Sequence, residues 1–450
     1  YRAALRLRED FPGAHFNLGN ALQEKGLQDD AMVEFRAALA TRQDFPEAYK
    51  AHTGLGIALG AKGRLDDAIT AFREAIRINP EYAEAHFGLG IALGDKGLLD
   101  EAIAEYRLAV HFKKDYAQAC VNLGNALQDK GLLDDAIAEY RAAIATKKDF
   151  PKAYKAHLSL GIALIAKGQR DEAIKAFRAS LRINPECAEA HYGLGNAFFP
   201  KRLDDAIVEF REAIHINKDY AEAHCNLGHA LKLKGEFRQA LEEFRCGHDL
   251  GSRNRGWPYP SAEWVRQCER LVDLDRRLPG FLDGTTTPAN PAERIELARL
   301  CSLKRLHRAA ARFYEETLAE EPELVSPNRY NAACAAALAA LAPVPKGGQG
   351  KDADKLDDKE RTRLRRAALD LLRADLKAKR LLLEKDENRT GRTVAGNMRH
   401  WLDDPDFAGV RGPEALAKLP EAERQPWEKL WKEVADLLKR AQDKAAPEKK

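Results

Sequence analysis

Long apolar runs are missing. No stretch of about 18 apolar residues occurs in the 450-residue sequence, so no segment is expected to span a bilayer and no membrane partner is anticipated. Cysteine is sparse. The seven present are odd in number and form no CxxC pair, which excludes a disulfide framework or a zinc ribbon and favours a reducing, cytoplasmic setting. An excess of one charge is missing too: 73 Lys and Arg stand against 70 Asp and Glu, a formal +3, so nothing in the balance calls for nucleic acid. Gly and Pro number 31 and 20 and charged residues make up 32%, which excludes a collagen, a mucin stalk and wholesale disorder. Tryptophan is absent before residue 257. At a prior of roughly 150 residues per domain the chain has room for about three units or one long array.

Catalytic signatures are lacking as well. Phosphoryl transfer needs a Gly-rich loop after a strand, a strand Lys, an HRD loop and a DFG Asp, and none is present. DPDFAG at 404–409 has Ala408 where the Gly belongs, so Asp403, Asp404 and Asp406 read as a solvated turn. GLGIALG at 54–60 has the wrong glycine spacing for a dinucleotide loop and recurs at 88–94, so it reads as helix packing. GGQGKD at 347–352 lacks the Walker spacing. Histidine recurs at one repeat position (His15, His52, His86, His157, His191, His224), but equivalent points on stacked helices lie about 8–10 Å apart, too far to share one ion. The chain is therefore expected to be no enzyme and to carry no metal and no cofactor.

What is present is a repeat. FNLGNALQEKGLQDDA around Gly19 returns around Gly56, Gly90, Gly124, Gly161, Gly195 and Gly228, at intervals of 37, 34, 34, 37, 34 and 33 residues. Each copy holds apolar residues at three- and four-residue steps on either side of a Lys-Gly turn, which predicts two helices. Ala follows the Gly by eleven or twelve residues (Ala31 to Ala240), and an aromatic follows four residues later (Phe35, Phe72, Tyr106, Tyr140, Phe177, Phe210, Phe244), one turn on and on the same face. Pro80 and Pro185 end second helices. These residues resemble the tetratricopeptide (TPR) family, whose period is near 34. The resemblance implies an all-α fold: a right-handed TPR solenoid of antiparallel helix pairs with a degenerate helical C-terminal region.

A longer period overlies the first. Gly19 to Gly124 is 105 residues and Gly124 to Gly228 is 104, with DFPEAYKAH at 44–52 matched by DFPKAYKAH at 149–157. Three hairpins were copied as a block. The extra three residues are expected to lengthen the first helix, with Pro46 and Pro151 at its start. The unit around Gly195 carries Pro200 instead of Lys-Gly, and a distorted corner is expected there.

Four regions follow. Residues 1–250 form the array, a half repeat plus seven repeats; the first residue is Tyr1 and YRAALRL reads as mid-helix, so the sequence is expected to begin inside a longer chain. Residues 251–290 form a linker and a capping helix starting at Ser261, with Trp264, Cys268, Leu271 and Leu274 on one stripe. Residues 291–390 hold degenerate hairpins, an eighth marked by Leu297, Ala310, Tyr314 and Pro322 and a ninth split by a mobile insertion near 343–360. Residues 391–450 form a helical cap, with Trp427, Leu430, Trp431 and Val434 in register, and a polar tail. YNAAC at 330–334, HWLDDPDFAGVRG and EAERQPWEKLW look like the non-catalytic carboxyl end of TPR-bearing bacterial serine/threonine protein kinases. Eight cations against two acids at 361–380 read as a solvated helix face, without aromatics interleaved for base stacking.

In a TPR superhelix the first helix of each pair lines the concave groove, which the resemblance extends to this chain. Asn17, Asn20, Asn122, Asn125, Asn196 and Asn226 stand two before or one after the repeat Gly, and an amide can both donate to and accept from a peptide backbone. Three before the Gly, Phe16, Phe87 and Tyr192, with Val121, Leu158 and Cys225, add an apolar lane. This amide ladder is similar to that of TPR-bearing protein O-glycosyltransferases. The Lys of the TPR carboxylate clamp is replaced by Phe16, Thr53 and Phe87, so no chaperone C-terminus is expected. The expected function is a scaffold binding an extended segment of a partner protein in the groove. The alternative is the recruiting or regulatory region of a serine/threonine kinase whose catalytic domain lies upstream of Tyr1.

Overall fold

The computed structural model describes residues 1, 5, 11–41, 45–146, 153–341, 356–385 and 387–445, and among these the regular structure is helix. No helix is long and apolar enough to cross a membrane. The chain divides into two compact units, Tyr1–Asn226 and Leu227–Lys450.

The first unit is built of helical hairpins: α1 (Pro12–Glu24) with α2 (Gln28–Thr41), α3 (Ala48–Ala61) with α4 (Leu65–Ile78), and α5 (Ala83–Asp95) with α6 (Leu99–Phe112). They continue as α7 (Ala117–Asp129) with α8 (Leu133–Thr146), α9 (Ala153–Ala166) with α10 (Arg170–Ile183), and α11 (Ala188–Phe198) with α12 (Leu203–Ile216). Each Lys-Gly turn places its glycine in the left-handed region, as at Gly63 with φ 74°, where a side chain would be strained. Acidic pairs such as Asp66 and Asp67 open the second helices, where the helix dipole favours negative charge. Asn79 and Asn184 then turn the chain at Pro80 and Pro185, accepting from the amides of Glu81 and Glu186.

Packing follows the small-and-large pattern. Phe35 is clamped between two hairpins: a Cβ on Gly19 of its own hairpin would lie 2.7 Å from the ring, and one on Gly54 of the next would lie 2.6 Å away. Between hairpins, Lys62, Lys96, Lys130 and Lys167 of the turns reach Asp29, Asp66, Asp100 and Asp134 of the preceding hairpin. These pairs are exposed, so each is worth about 0–1 kcal/mol and the buried aromatic joints dominate.

Two expectations need correction, and a third, the distorted corner at Pro200, is met. The extra three residues of the second hairpin do not all extend its first helix: α3 has 14 residues against 13 in α5, and the rest widens the approach, so Pro46 sits in the turn before α3. The matching Pro151 and its neighbours at 149–152 lie outside the described residues, and the rest of the phrase opens α9. The corner after α11 contains a cis Phe199–Pro200 bond, and the Arg170 guanidinium donates to the Phe199 carbonyl at 2.6 Å, closing a helix of 11 residues. Ser261 does not cap its helix: its hydroxyl accepts from the Trp257 indole at 3.0 Å and pairs with His248 at 2.9 Å.

The second unit contains the end of α13 (Ala221–Lys234), its partner α14 (Phe237–Gly251), and a long α15 (Ser261–Asp283) that buries Cys268, Leu274 and Leu278. The eighth hairpin is α16 (Pro291–Leu303) with α17 (His307–Glu320). Next, α18 (Arg329–Ala339) packs on α19 (Asp358–Lys385), and α20 (Glu387–Asp403) on α21 (Glu421–Ala445). Most of the insertion near 343–360 and the terminal tail lie outside the described residues. One core joins Leu297, Tyr314, Leu372, Trp401, Phe407, Trp427 and Trp431, larger side chains than those of the first unit.

The basic stretch is only in part a solvated face, with Arg366, Arg373 and Lys377 exposed. Arg363 pairs with Glu315 at 2.9 Å, Arg365 with Glu423 at 2.6 Å and Arg380 with Glu433 at 2.9 Å, so these cations tie α19 to α17 and α21.

Candidate functional site

Within the first unit, the first helices of successive hairpins touch one another, α1 to α3, α3 to α5, and on to α11. These helices carry the positions singled out in the sequence.

The amides fall into two groups. Asn17 is exposed and Asn20 half-buried on α1. The other four are already engaged. Asn125 accepts from the Tyr140 hydroxyl at 2.8 Å, Asn122 shares a hydrogen bond with Tyr106 of the preceding hairpin, and Asn226 donates to Asn196 at 2.8 Å and to Tyr192 at 3.1 Å. Asn125 nonetheless remains exposed.

A rule links these contacts. Where the clamped ring is Phe35, Phe72 or Phe177, the facing residue of the next hairpin is Gly54, Gly88 or Gly193. Where it is Tyr106 or Tyr140, the facing position holds Asn122 or Ser159 near the hydroxyl, although Tyr140 donates to Asn125 and Gln128 and Phe210 faces Asn226, so the pairing is not strict. Burial pushes both tyrosines up to about 12, so each stays a neutral O–H donor.

The apolar lane is discontinuous. Val121 and Cys225 are buried, Cys225 at 3% exposure, so they serve the core. Phe16 is half-buried near Phe35. Phe87 packs on Tyr116 and Tyr192 on Tyr220, ring centroids 4.9 Å apart in both cases, so these rings join hairpins while showing one face. The stronger apolar signal was missed: Ile57 is 49% and Ile162 44% exposed, one residue after the repeat Gly, the position that Asn20 and Asn125 hold elsewhere. A cleft of about 320 Å³ between α3 and α5 is lined by Ile57, Gly60, Ala61, Ile91 and Asp95.

The recurring histidines are joints. His15 meets Glu34 at 2.6 Å, His86 meets Glu105 at 2.6 Å and His191 meets Glu209 at 2.7 Å, each linking first to second helix. His86 also reaches the Pro80 carbonyl at 2.8 Å. Burial alone would lower its pKa, but Glu105 and that carbonyl outweigh it, and the net shift is upward. His191 is raised chiefly by Glu209, whereas His52 and His157 are lowered, chiefly by burial.

In the second unit a cavity of about 640 Å³ went unnoticed in the sequence. Its lining includes Lys232, Arg299, Tyr330, Asn331, Cys334 and Asp404. In hairpin register, Tyr330, Asn331 and Cys334 repeat the places of Phe16, Asn17 and Asn20, and Arg299 the place of Asn20. The turn at 403–406 is solvated at Asp403 and Pro405 but not at Asp404. Asp404 is 8% exposed and accepts from the Tyr330 hydroxyl at 2.6 Å and the Asp406 amide at 2.9 Å. Cys334, Asp404 and Asp406 place a thiol and two carboxylates within 4.8 Å. Both Asp404 oxygens are spent on those donors, and burial with Asp404 nearby raises Asp406 toward its protonated form, so the cluster reads as a buried hydrogen-bonded joint.

Stacked helical hairpins around such clamped rings define a helical-repeat protein. Residues 34–83, 53–118 and 121–185 match a model described as tetratricopeptide repeat, and residues 200–235 match one described as TPR repeat, so TPR repeats are recognised in this stretch. The matched segments end before residue 236, and the kinase likeness of the C-terminal part rests on its wording alone. No curated protein matches. Among solved structures, YrrB, described as a TPR protein with an unusual peptide-binding site, is 21% identical, covering 42% of this chain and 95% of its own, with a TM-score of 0.37. MamA is 27% identical over 37% and 97%, TM-score 0.35. PilF of Pseudomonas aeruginosa is 20% identical over 46% and 90%, TM-score 0.40.

Proposed function

We propose that this chain is an interaction scaffold and that the inner wall of its first unit receives an extended segment of a partner protein. TPR proteins are protein-interaction scaffolds; the particular wall and the mode of binding are our reading. The observation that carries it is the row on consecutive first helices, where Asn20, Ile57, Ile91, Asn125 and Ile162 take one register position. Alternating amides and exposed β-branched side chains suit a backbone read by hydrogen bonds with apolar side chains seated between them. The bound residues are Asn17, Asn20, Ile57, Asn125 and Ile162, with Phe16, Phe87, Asn122, Tyr192, Asn196 and Asn226 shaping the wall around them. Selecting peptides from a randomised library on the whole chain and then replacing Asn17 and Asn125 by Ala tests it. Binding weakened about tenfold supports the reading, and unchanged binding overturns the amide contacts.

A kinase association is the second reading, favoured only by the wording of residues 251–450. Sequencing the gene upstream of Tyr1 tests it: a catalytic domain there supports it, and a start codon immediately before Tyr1 removes it.

A further inference from the structure

The cavity of the second unit gathers three cations without a carboxylate partner among the described residues. Several other cations of this unit are paired: Arg270 and Arg277 with Glu293, Lys304 with Asp275, Arg363 with Glu315 and Arg365 with Glu423. Three that line the cavity form no ion pair among the described residues. Lys232 is partly buried, and burial lowers its pKa. Arg299 donates to the neutral Asn328 amide oxygen, at 2.7 Å, and lies beside the Tyr314 hydroxyl. Arg305 makes no such contact. Arg299 and Arg305 are exposed, so Lys232 alone is held partly out of water, at a solvation cost that an incoming anion offsets.

Arg305 adds an independent observation. It stands where Gly26, Gly63, Gly97, Gly131, Gly168 and Gly235 stand in their turns, and it adopts the same left-handed backbone, φ 60°. It is the only non-glycine residue in that conformation among the described residues. Glycine would make this turn without strain, so the turn itself does not require arginine, yet the cavity has it in its lining. The Tyr314 hydroxyl, buried in the same lining beside Arg299, makes no well-aligned hydrogen bond.

The opposing carboxylates do not cancel these cations. Asp404 is held by Tyr330 and the Asp406 amide, with His400 3.5 Å away, and Asp406 is biased toward its neutral form. At about 640 Å³ the cavity falls within the size range of pockets that take several side chains or a small ligand.

We propose that this cavity binds an acidic polypeptide segment, an Asp or Glu carboxylate lying against Lys232, Arg299 and Arg305 with apolar neighbours over Leu233 and Leu338. The site is separate from the inner wall of the first unit, and it stands or falls without it.

The test uses the whole chain. A randomised peptide library is panned against the wild type, against R305G, and against the Arg299→Gln, Arg305→Gly pair. The site predicts Asp and Glu enrichment on the wild type that disappears on both variants. A recovered acidic peptide should lose about tenfold in affinity on R305G, and changing its Glu to Gln should cost as much on the wild type but little on the paired variant. R305G puts glycine back into a left-handed turn, so it should melt no lower than the wild type and binding loss cannot be ascribed to unfolding. Enrichment of Lys and Arg, which would mean that Asp404 and Asp406 rule the cavity, overturns the proposal. So does equal acidic enrichment on wild type and R305G. Acidic peptides that weaken with Asn17 and Asn125 but not with Arg305 would place them on the first unit, against this proposal and in favour of the other.

Discussion

At the scale of single residues, most joints between hairpins set Phe against Gly or Tyr against Asn or Ser, with Phe210 opposite Asn226 as the exception. Asn122→Gly alone strands the buried Tyr106 hydroxyl and should cost about 1–3 kcal/mol, and Tyr106→Phe alone strands the Asn122 amide. Together they rebuild the Phe72–Gly88 joint, so chemical denaturation should give a favourable coupling of about 1 kcal/mol. Strict additivity would refute the rule. The histidines make a pH prediction of opposite signs. His86 and His191 have folded values above 6.5, so their contribution is full below that value and is lost as pH rises through the raised one. His52 and His157 are lowered, so they are neutral in effect above 6.5 and penalise the fold as pH falls toward the lowered value. Melting curves should therefore show His86→Gln losing more at about pH 5.5 than at about pH 8.5, and His52→Gln losing less at the lower pH.

At the scale of elements, hairpins were legible because their marks are local: the Gly, the Ala and the aromatic sit within one pair of helices and recur at a fixed spacing. The partners of the amides were not. Asn122 looks like a groove residue until Tyr106 is seen one hairpin earlier, and the absence of a hydroxyl on Phe72 opposite Gly88 is the clue that a closer comparison of units would have offered. Ile57 and Ile162 were passed over because an apolar residue in a helix is ordinarily assigned to the core. The second cavity was out of reach for a different reason. Tyr330 and Asp404 are joined only through tertiary packing, across a segment without repeat spacing. The eighth turn also carries a stability prediction: Arg305→Gly should raise the unfolding free energy by about 1 kcal/mol, read by thermal or urea melts, since the left-handed conformation costs an ordinary residue roughly that much. A lower stability would mean that the arginine side chain holds the turn together.

At the scale of the molecule, the account depends on nearest-neighbour burial. Each hairpin of the first unit covers its rings with the next, so stability should be spread along the array while the exposed Lys–Asp ladder contributes little. Raising the salt to about 1 M should accordingly change the melting temperature only slightly, as the ladder is already screened. The proposed function uses the same geometry: the rings close the joints, while Asn17, Ile57, Asn125 and Ile162 stay exposed on the first helices. The most direct measurement is the affinity of library-selected peptides for two paired variants. Ile57→Asp with Ile162→Asp alters the inner wall, and Val33→Asp with Val208→Asp alters exposed positions on second helices. The account predicts about tenfold or greater loss for the first pair and no more than about twofold for the second. Equal losses, or a loss confined to the valine pair, would contradict it.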